Sequence, residues 1–357
     1  MQNTDLHSTY LLEEIRKEKL ELSLMEVCGT HTMAIARSGL KELMPKGIRL
    51  ISGPGCPVCV TAQADIDAVV ALAREPLVIL ATFGDMMRVP GSESSLAQER
   101  SRGADIRVVY SPLDAVALAR SNPGREVVFL GIGFETTAPA VAASIEMAAT
   151  EDIKNYSVWS LNKLVPPALN VLFSDPELRV DGLICPGHVS TVIGISPYVE
   201  LAARYKRPCV VTGFEPSDII EGIYMILTQI KQGRSEAEIQ YRRVVKPQGN
   251  VVAQKMIDRF FEPVTARWRG LGSIPASGLA IRKEYEAWDA RVKFALPEFP
   301  ERPTRGCSCG EILKGKITPL ECPLFGRYCT PSTPIGPCMV SQEGACAAYY
   351  RYGRRVN

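Results

Sequence analysis

Residues 49–75 read RLISGPGCPVCVTAQADIDAVVALARE and contain a predicted strand, a tight turn and a predicted helix, in that order. Ile48–Ile51 is an apolar run of strand length, and the GPG that follows it is typical of a tight turn. After Cys59 the apolar residues recur at helical spacing. The stretch therefore predicts a strand–turn–helix unit of an α/β protein, with Cys56 and Cys59 of a C-P-V-C motif at the N-terminus of the helix.

The same plan occurs twice along the chain. In the first copy the loops after predicted strands read CGTHT, GPGC and TFGD, and in the second they read FETT, PGH and TGFEP. Each copy predicts a small parallel sheet with helices on both faces. If the two copies face one another, the loops at the carboxyl ends of their strands line a shared cleft, which is a common position for a binding site.

We expect four segments: residues 1–112 and 113–222 as two similar α/β domains, 223–300 as a helical connecting segment, and 301–357 as a small loop-rich domain. Two stretches of the connecting segment have the apolar spacing of amphipathic helices, EGIYMILTQIKQGRSEAEIQYRRVV and ASGLAIRKEYEAWDARVKF. The same part of the chain has a basic group that is either a solvated face or a docking surface for a partner protein. It consists of Arg242, Arg243, Lys246, Arg267 and Arg269.

Composition excludes several classes of protein. The chain has 357 residues, and its 41 Lys and Arg against 39 Asp and Glu give a net charge of +2. This balance offers no electrostatic argument for nucleic acid or a membrane surface as a partner. The apolar runs are far shorter than the ~18 residues of a transmembrane helix, and the first residues are polar, so we expect a cytoplasmic protein. Eleven cysteines then indicate metal or redox chemistry rather than a disulfide framework.

Six of the cysteines lie within the segment Cys307–Cys346, which is rich in proline and glycine. The prolines exclude a long helix or a central strand there. A segment with so little apolar core needs another source of stability, and six thiols offer three. These are a [4Fe–4S] cluster on four thiols, a zinc ion on four thiols, or three disulfides. The expected compartment disfavours disulfides, and the cysteine spacing favours the cluster over zinc while leaving both open.

The CGTHT loop combines a thiol, an imidazole and hydroxyls. Cys28, Thr30 and His31 follow the predicted strand Leu22–Val27 and precede a predicted helix. They would therefore crowd the carboxyl end of a strand, where open α/β sheets bind their ligands. A lone cysteine or histidine is usually structural, but their combination on one strand-to-helix loop favours a functional role.

The remaining candidate residues lie on neighbouring loops and strands. Unpaired N–H groups and the helix dipole at a helix N-terminus favour the thiolate form of Cys56 and Cys59. The alternative is a buried turn in which these two side chains serve only as small hydrophobic groups. Glu135 of FETT is a candidate polar contact from the second copy, whereas Cys185 and Cys209 lie in or beside apolar strands and are expected to be structural.

Taken in order, the motifs EVCGTHT, GPGCPVCVT, TFGDM, GIGFETT, PGHVS, TGFEP and CSCGEI…CPLFGRYCTP…C…C resemble those of the HypD family over nearly the whole chain. Members of that family help to build the Fe(CN)2CO part of nickel–iron hydrogenase active sites. The resemblance implies two similar α/β domains around a cleft and a third domain that holds a [4Fe–4S] cluster. It also implies a complex with the small chaperone HypC, delivery of cyanide by HypE, and transfer of the iron to the hydrogenase large subunit.

The resemblance also implies roles for individual residues. Thiolates suit a low-spin iron that carries cyanide and carbonyl, so Cys28, Cys56 and Cys59 would hold this iron or act as a redox pair. His31 would donate a hydrogen bond or a proton to cyanide, and Thr30 and Glu135 would add polar contacts. The analogy with ferredoxin–thioredoxin reductase divides the six C-terminal cysteines into two sets. The expected cluster ligands are Cys307, Cys322, Cys329 and Cys346. The expected redox pair is Cys309 and Cys338.

Three functions therefore compete at the level of sequence. The first is a scaffold and electron donor for assembly of a metal centre. The second is a thiol–disulfide oxidoreductase that is driven by its own cluster. The third is an interaction module that is stabilised by zinc. Metal analysis separates the third from the others, and the first requires the additional soft ligand Cys28.

Overall fold

The computed structural model of the protein describes residues 2–302, 304 and 306–353. Its strands are β1 (Leu22–Glu26), β2 (Ile48–Ser52), β3 (Val78–Thr82), β4 (Asp105–Val108), β5 (Glu126–Gly133), β6 (Tyr156–Asn162), β7 (Gly182–Pro186), β8 (Cys209–Thr212), β9 (Ala237–Ile239), β10 (Phe261–Trp268) and β11 (Gly272–Ile281).

The α-helices are α1 (Gln2–Lys17), α2 (Gly29–Ser38), α3 (Leu40–Leu43), α4 (Pro57–Val60), α5 (Gln63–Ala73), α6 (Leu96–Ser101), α7 (Pro112–Ser121), α8 (Ala138–Thr150), α9 (Val165–Ser174), α10 (Gly187–Ile193), α11 (Ser196–Tyr205), α12 (Pro216–Lys231), α13 (Val251–Phe260), α14 (Ala290–Phe294), α15 (Cys309–Leu313), α16 (Pro337–Val340) and α17 (Ala345–Tyr352). Shorter 3-10 helices cover Gly84–Arg88, Lys283–Trp288 and Pro319–Glu321.

Two parallel sheets form the α/β part of the molecule, as the sequence predicts. The first sheet has the order β2-β1-β7-β8-β9, and the second has the order β4-β3-β5-β6. All neighbouring strands within each sheet run parallel. Strands β3, β6 and β7 are buried along their whole length, because helices cover both faces of a parallel sheet. No helix in the described part of the chain is long and apolar enough to cross a membrane.

The chain does not complete one sheet before it begins the other, and here the expected arrangement is wrong. Strand β1 pairs with β7 through Leu24 and Gly182, whereas β3, which was expected to join β1 and β2, lies in the second sheet. The expected boundaries at residues 112 and 222 therefore do not separate the sheets. An apolar run identifies a strand, but it does not specify which distant strand will cover its edge.

The connecting segment contains strands as well as helices, which also differs from the prediction. The first expected helix ends at Lys231, and β9 follows it at the edge of the first sheet. The second was expected to begin at Ala276, but that residue lies in β11, which pairs antiparallel with β10. Strand β10 provides hydrogen-bond partners for the backbone of β11. This long-range pairing outweighs the helical spacing of the apolar residues in the sequence.

The C-terminal region is loop-rich, as expected. It contains only short helices, α15 to α17 and one 3-10 turn, joined by turns and extended chain. Its cysteines are nevertheless buried or partly buried within the largest hydrophobic cluster of the molecule. The region is therefore packed against the α/β part.

Candidate functional site between the two sheets

A cavity of about 550 Å³ lies where the loops of both sheets and the C-terminal region meet. Loops after β1, β2 and β7 contribute one wall, and loops after β3 and β5 contribute another. The expectation of a cleft between two α/β sheets is thereby confirmed, although each wall carries loops of both copies. Residues that line the cavity include Cys28, Thr30, Gly55, Asp85, Tyr110, Thr136, Thr137, His188, Ser341 and Glu343.

Cys28 provides the free thiol of this cavity. It is the N-cap residue of α2, and its side chain is buried and unpaired by any disulfide. Burial raises the pKa of the Cys28 thiol to about 12, and the nearby charge of Glu343 adds to the rise. The thiol is therefore protonated at neutral pH, and a soft metal ion that binds there must displace the proton.

A buried carboxyl group holds the backbone around Cys28. Glu26 accepts hydrogen bonds from the Cys28 backbone N–H at 3.0 Å and from the Thr32 hydroxyl at 2.5 Å. Burial raises the pKa of Glu26 from 4.5 to about 7, although these hydrogen bonds oppose the rise. Glu26, the last residue of β1, thus stabilises the turn between β1 and α2.

The CGTHT and GPGC loops lie directly against each other. The backbone N–H of Gly29 donates to the carbonyl of Gly55 at 3.0 Å. A Cβ atom at Gly55 would lie 2.1 Å from the backbone nitrogen of Cys28, so only glycine permits this approach. The tight turn predicted from GPG therefore serves to place the C-P-V-C motif beside Cys28.

Cys56 and Cys59 form a disulfide at the start of α4. Cys56 is the N-cap residue, and its sulfur accepts a hydrogen bond from the Cys59 backbone N–H at 3.2 Å. The predicted position at a helix N-terminus is confirmed. Both residues are buried, and the cavity wall is formed by their neighbours Gly55, Pro57 and Val58. The disulfide therefore lies one layer behind the cavity surface.

Both histidines lie on loops that were expected to line the cleft, but only His188 lines the cavity, so the expectation for His31 is wrong. His31 is fully buried; its Nε2 donates to the Gly213 carbonyl at 2.8 Å and lies 2.9 Å from the Thr212 hydroxyl. Burial lowers the pKa of His31 to about 4, so its ring is neutral. His188 is exposed and lines the cavity, with its ring stacked on Phe214 at 4.0 Å between centroids.

Glu135 lies on a different cavity from Cys28. It lines a pocket of about 370 Å³ between α9, α10 and α13, whereas its neighbours Phe134 and Thr136 line the first cavity. Its Oε1 accepts a hydrogen bond from the Val165 backbone N–H at 2.9 Å, and Oε2 is buried with no partner among the described residues. Burial raises the pKa of Glu135 to about 7.

The C-terminal region closes the cavity through two polar contacts. The Thr30 hydroxyl donates to Glu343 at 2.8 Å, and the Ser341 hydroxyl donates to Asp85 at 3.2 Å. A Cβ atom at Gly29 would meet the Cβ atom of Glu343 at 2.3 Å, so the two segments are in close contact. Reasoning from sequence missed Glu343 and Ser341, because no local pattern links residues that are so far apart along the chain.

The C-terminal thiols converge on one another. The sulfur atoms of Cys307 and Cys309 are 3.1 Å apart, and Cys309 is also in hydrogen-bonding contact with the thiols of Cys338 and Cys346. A Cβ atom at Gly336 would lie 2.5 Å from the Cys309 sulfur, so this glycine packs directly over the group. The expected redox partners Cys309 and Cys338 are in contact. Cys309 also contacts Cys307 and Cys346, so these contacts do not distinguish the redox pair from the expected cluster ligands.

The chemistry of this group fits a soft metal centre. The hydrogen bond between Cys307 and Cys309 lowers the pKa of the Cys307 thiol from 9.0 to about 6. Cys329 is buried at its edge and accepts a hydrogen bond from the Ile335 backbone N–H at 3.3 Å, and Cys322 is buried nearby. No three His, Cys, Asp or Glu side chains of the described residues converge on a point suited to one metal ion. An iron–sulfur cluster differs in that its thiolates bind different irons.

Known proteins match nearly the whole chain. The family model HypD, described as the hydrogenase formation hypA family, matches residues 7–353. The hydrogenase maturation factor HypD of Rhodobacter capsulatus is 51% identical, over 92% of this chain and 89% of its own length. HypD of Escherichia coli (strain K12) is 45% identical, over 96% and 94%. A putative hydrogenase expression/formation protein of Methanocaldococcus jannaschii is 43% identical, over 96% of both chains.

The fold and the cavity define an α/β protein with two parallel sheets that brings cysteines together at and behind the carboxyl ends of its strands. Within that class, the chain belongs to the HypD family of hydrogenase maturation factors. The family resemblance that the motifs carry is therefore confirmed.

Proposed function

We propose that this hydrogenase maturation factor is a scaffold and electron donor for assembly of the Fe(CN)2CO group. The single observation that carries the proposal is the buried free thiol of Cys28 in a cavity that both sheets and the C-terminal region enclose. A soft thiolate suits an iron with cyanide and carbonyl ligands, and the few polar side chains of the wall can receive the nitrogen atoms of bound cyanide. In this proposal the iron is cargo.

Three kinds of side chain in the cavity would serve the cargo iron. Cys28 would bind it as a thiolate. Thr30 and His188 have polar groups at the wall, and His188 carries out the hydrogen-bonding role that His31 was expected to have. His31 would act indirectly, because its ring supports Phe214 at 4.6 Å and Phe214 supports His188.

Release of cyanide from an S-cyanated donor is a two-electron reduction. A thiocyanate and two thiols give the free thiol of the donor, hydrogen cyanide and one disulfide. Reduced Cys56 and Cys59 would supply both electrons and both protons, and they would end as the disulfide that the structure contains. A further reductant must then regenerate the dithiol.

We propose that the C-terminal thiols supply this reductant through a [4Fe–4S] cluster. Helix α16, which contains Cys338, packs against α4 of the C-P-V-C motif, so the thiol group and the dithiol are neighbours. The expected ligands Cys307, Cys322, Cys329 and Cys346 would hold the cluster, which transfers single electrons when bound. Anaerobically purified protein should then contain about four irons and four sulfides.

The partners follow from the same proposal. HypC would bring or share the iron, HypE would deliver cyanide, and the hydrogenase large subunit would receive the finished group. The near-neutral charge of +2 offers no argument for nucleic acid or a membrane as a further partner. We accordingly propose a cytoplasmic location.

Infrared spectroscopy of the protein purified with its partners tests the proposal directly. The wild-type complex should have cyanide and carbonyl stretching bands, and Cys28→Ala should lose them while it keeps the absorbance of the C-terminal cluster. Cys185→Ala is a matched control, because that cysteine is buried in β7 and does not itself line the cavity. A Cys28→Ala complex with undiminished bands would move the iron elsewhere.

A cluster-driven thiol–disulfide oxidoreductase is the second candidate function, and the Cys56–Cys59 disulfide favours it. Such an enzyme needs the dithiol and the cluster but has no need for Cys28. Turnover of a disulfide substrate by Cys28→Ala, together with absence of cyanide bands in the wild-type complex, would favour this candidate over the scaffold.

A further inference from the structure

Arg269 is the buried cation next to the C-terminal thiols. Only 8% of its surface is exposed. Its backbone N–H donates to the Val60 carbonyl at 2.8 Å, its Nε donates to the Thr61 carbonyl at 3.0 Å, and its Nη1 donates to Gln63 Oε1 at 3.1 Å. The expectation that this residue belongs to a solvated basic face is therefore wrong. The guanidinium is therefore hydrogen-bonded to Thr61 and Gln63, which follow Cys59 closely along the chain.

One nitrogen of this guanidinium remains unused. Arg269 Nη2 is buried and has no hydrogen-bond partner among the described residues. No described carboxylate lies within 4.0 Å of the group, whereas Arg267, two residues earlier, has Glu298 at that distance. A buried charge without a counterion is costly, so the fold places this cation where an anionic group would compensate it.

The C-terminal thiols are the candidates for that anionic group. The turn after Arg269 packs against the C-x-C motif, since a Cβ atom at Gly270 would lie 2.4 Å from the Cα atom of Gly310. Gly270 directly follows Arg269, and Gly310 directly follows Cys309. The chain at Arg269 and the chain at Cys309 are therefore in direct contact.

We propose that Arg269 is a positioning residue that holds a fixed positive charge beside the C-terminal thiols and makes the redox group they form easier to reduce. This inference rests on the proposed [4Fe–4S] cluster. When the cluster is reduced by an external donor such as dithionite, one electron enters, no bond forms or breaks, and the negative charge increases by one. A nearby cation stabilises the more negative state.

The hydrogen bonds of Arg269 also connect it to the segment that carries the C-P-V-C motif. The same guanidinium that acts on the thiols is bonded to Thr61 and Gln63, which follow the C-P-V-C helix. Its position is therefore set by the segment that holds the dithiol. Arg269 thus keeps the charge at the junction where an electron would pass from the cluster towards Cys56 and Cys59.

A redox titration of the full-length protein tests the inference. Spectra of the cluster in wild type, Arg269→Met and Arg269→Lys are recorded anaerobically against a series of solution potentials. We expect the ratio of reduced to oxidised cluster at a fixed potential to fall about tenfold in Arg269→Met, which corresponds to about 59 mV for one electron. Arg269→Lys keeps the charge and should remain close to wild type.

Arg267→Met is the matched control, because Arg267 is two residues away, at the end of β10, but is partly exposed and donates to the Phe299 carbonyl at 2.9 Å. It should not change the midpoint potential. If Arg269→Met does not retain the cluster, Arg269→Gln removes the charge while it keeps a polar donor. Equal potentials in the wild type and the uncharged variants, or an equal loss in Arg269→Lys, would overturn the inference. A wild-type protein without iron and sulfide would overturn the proposed cluster as well.

Discussion

Two side chains of the same residue type have opposite roles in this molecule, and burial decides between them. The His31 ring is buried between α2 and the carboxyl end of β8, where two hydrogen bonds and a lowered pKa make it a neutral structural group. The His188 ring lies at the cavity wall, and no described residue bonds to its ring nitrogens. Of these two histidines, His188 is therefore the one that faces the cavity.

Substitution of the two histidines should separate these roles. His188→Gln should lower the yield of cyanide-bearing iron several-fold and leave the thermal midpoint nearly unchanged, because the side chain is exposed. His31→Gln should instead destabilise the fold by about 1–3 kcal/mol, since it disrupts buried hydrogen bonds. Infrared band intensity and thermal unfolding of each variant provide the two measurements. Loss of bands in His31→Gln alone, at an unchanged midpoint, would reverse the assignment.

The Glu135 carboxyl should make stability depend on pH. Its pKa rises from 4.5 to about 7 on folding, so the folded protein retains a proton that the unfolded chain releases. The resulting stability is fully present below pH 4.5 and is lost as the pH rises through 7, by up to about 3 kcal/mol. Glu135→Gln keeps the shape of the side chain but has no proton to lose.

Denaturant unfolding of wild type and Glu135→Gln at several pH values between 4.5 and 7.5 measures the difference. The buried carboxyl of Glu26 has a similarly raised pKa and contributes equally to both proteins. The free energy of unfolding should therefore fall more steeply with pH in wild type than in the variant. Parallel curves would show that the pKa of Glu135 is the same in the folded and the unfolded protein.

At the scale of elements, the site depends on how closely two strand-to-helix loops approach. The loop after β1 carries Cys28, and the loop after β2 carries the C-P-V-C motif. Their contact depends on Gly55, where a Cβ atom would lie 2.1 Å from the Cys28 backbone nitrogen. The glycine is therefore needed for proximity of the two thiol-bearing loops.

Gly55→Ala should separate the loops. We expect a loss of about 1–3 kcal/mol in the free energy of unfolding, because the added methyl group overlaps main-chain atoms that lie in a packed region. The infrared bands of the iron should disappear as well. Gly124→Ala is the control, since a Cβ atom at Gly124 meets no atom within 4 Å. Unchanged stability and unchanged infrared bands in Gly55→Ala would show that the two loops accommodate the added methyl group without disturbing the site.

At the scale of the whole molecule, the C-terminal region completes the α/β part. It contributes Ser341 and Glu343 to the cavity wall, and α16 brings Cys338 next to the helix of the C-P-V-C motif. The thiols of the molecule thus form a series from the cavity, through the Cys56–Cys59 disulfide, to the C-terminal group. The arrangement links the cavity to the C-terminal thiols within one core.

Substitution of single C-terminal cysteines should distinguish ligands from the redox pair. Cys309→Ser and Cys338→Ser should retain the cluster, because the proposed cluster leaves these two thiols free. Cys322→Ser and Cys329→Ser should lose most of the iron and sulfide, because a cluster with three thiolates is less stable. Iron and sulfide analysis after anaerobic purification gives the answer. Equal loss of iron in all four variants would disprove the division while leaving the cluster itself intact.

The sequence by itself determined the local units of this protein. Apolar periodicity and the GPG turn predicted the strands and helices that carry the motifs, and the motifs identified the family. The approach of Cys28 to the C-P-V-C loop was also predictable, because the carboxyl ends of neighbouring parallel strands meet at one edge. These features depend on residues that are close in sequence or on a general property of parallel sheets.

The tertiary structure alone decided which strands share a sheet and which side chains face the cavity. Strand β1 pairs with β7, His188 lines the cavity whereas His31 does not, and Glu135 faces a second pocket. Glu343 and Arg269 join the thiol-bearing loops from distant parts of the chain. Local patterns specify backbone conformation and burial tendency, whereas partners at long range follow from the packing of the whole chain, which no single segment encodes.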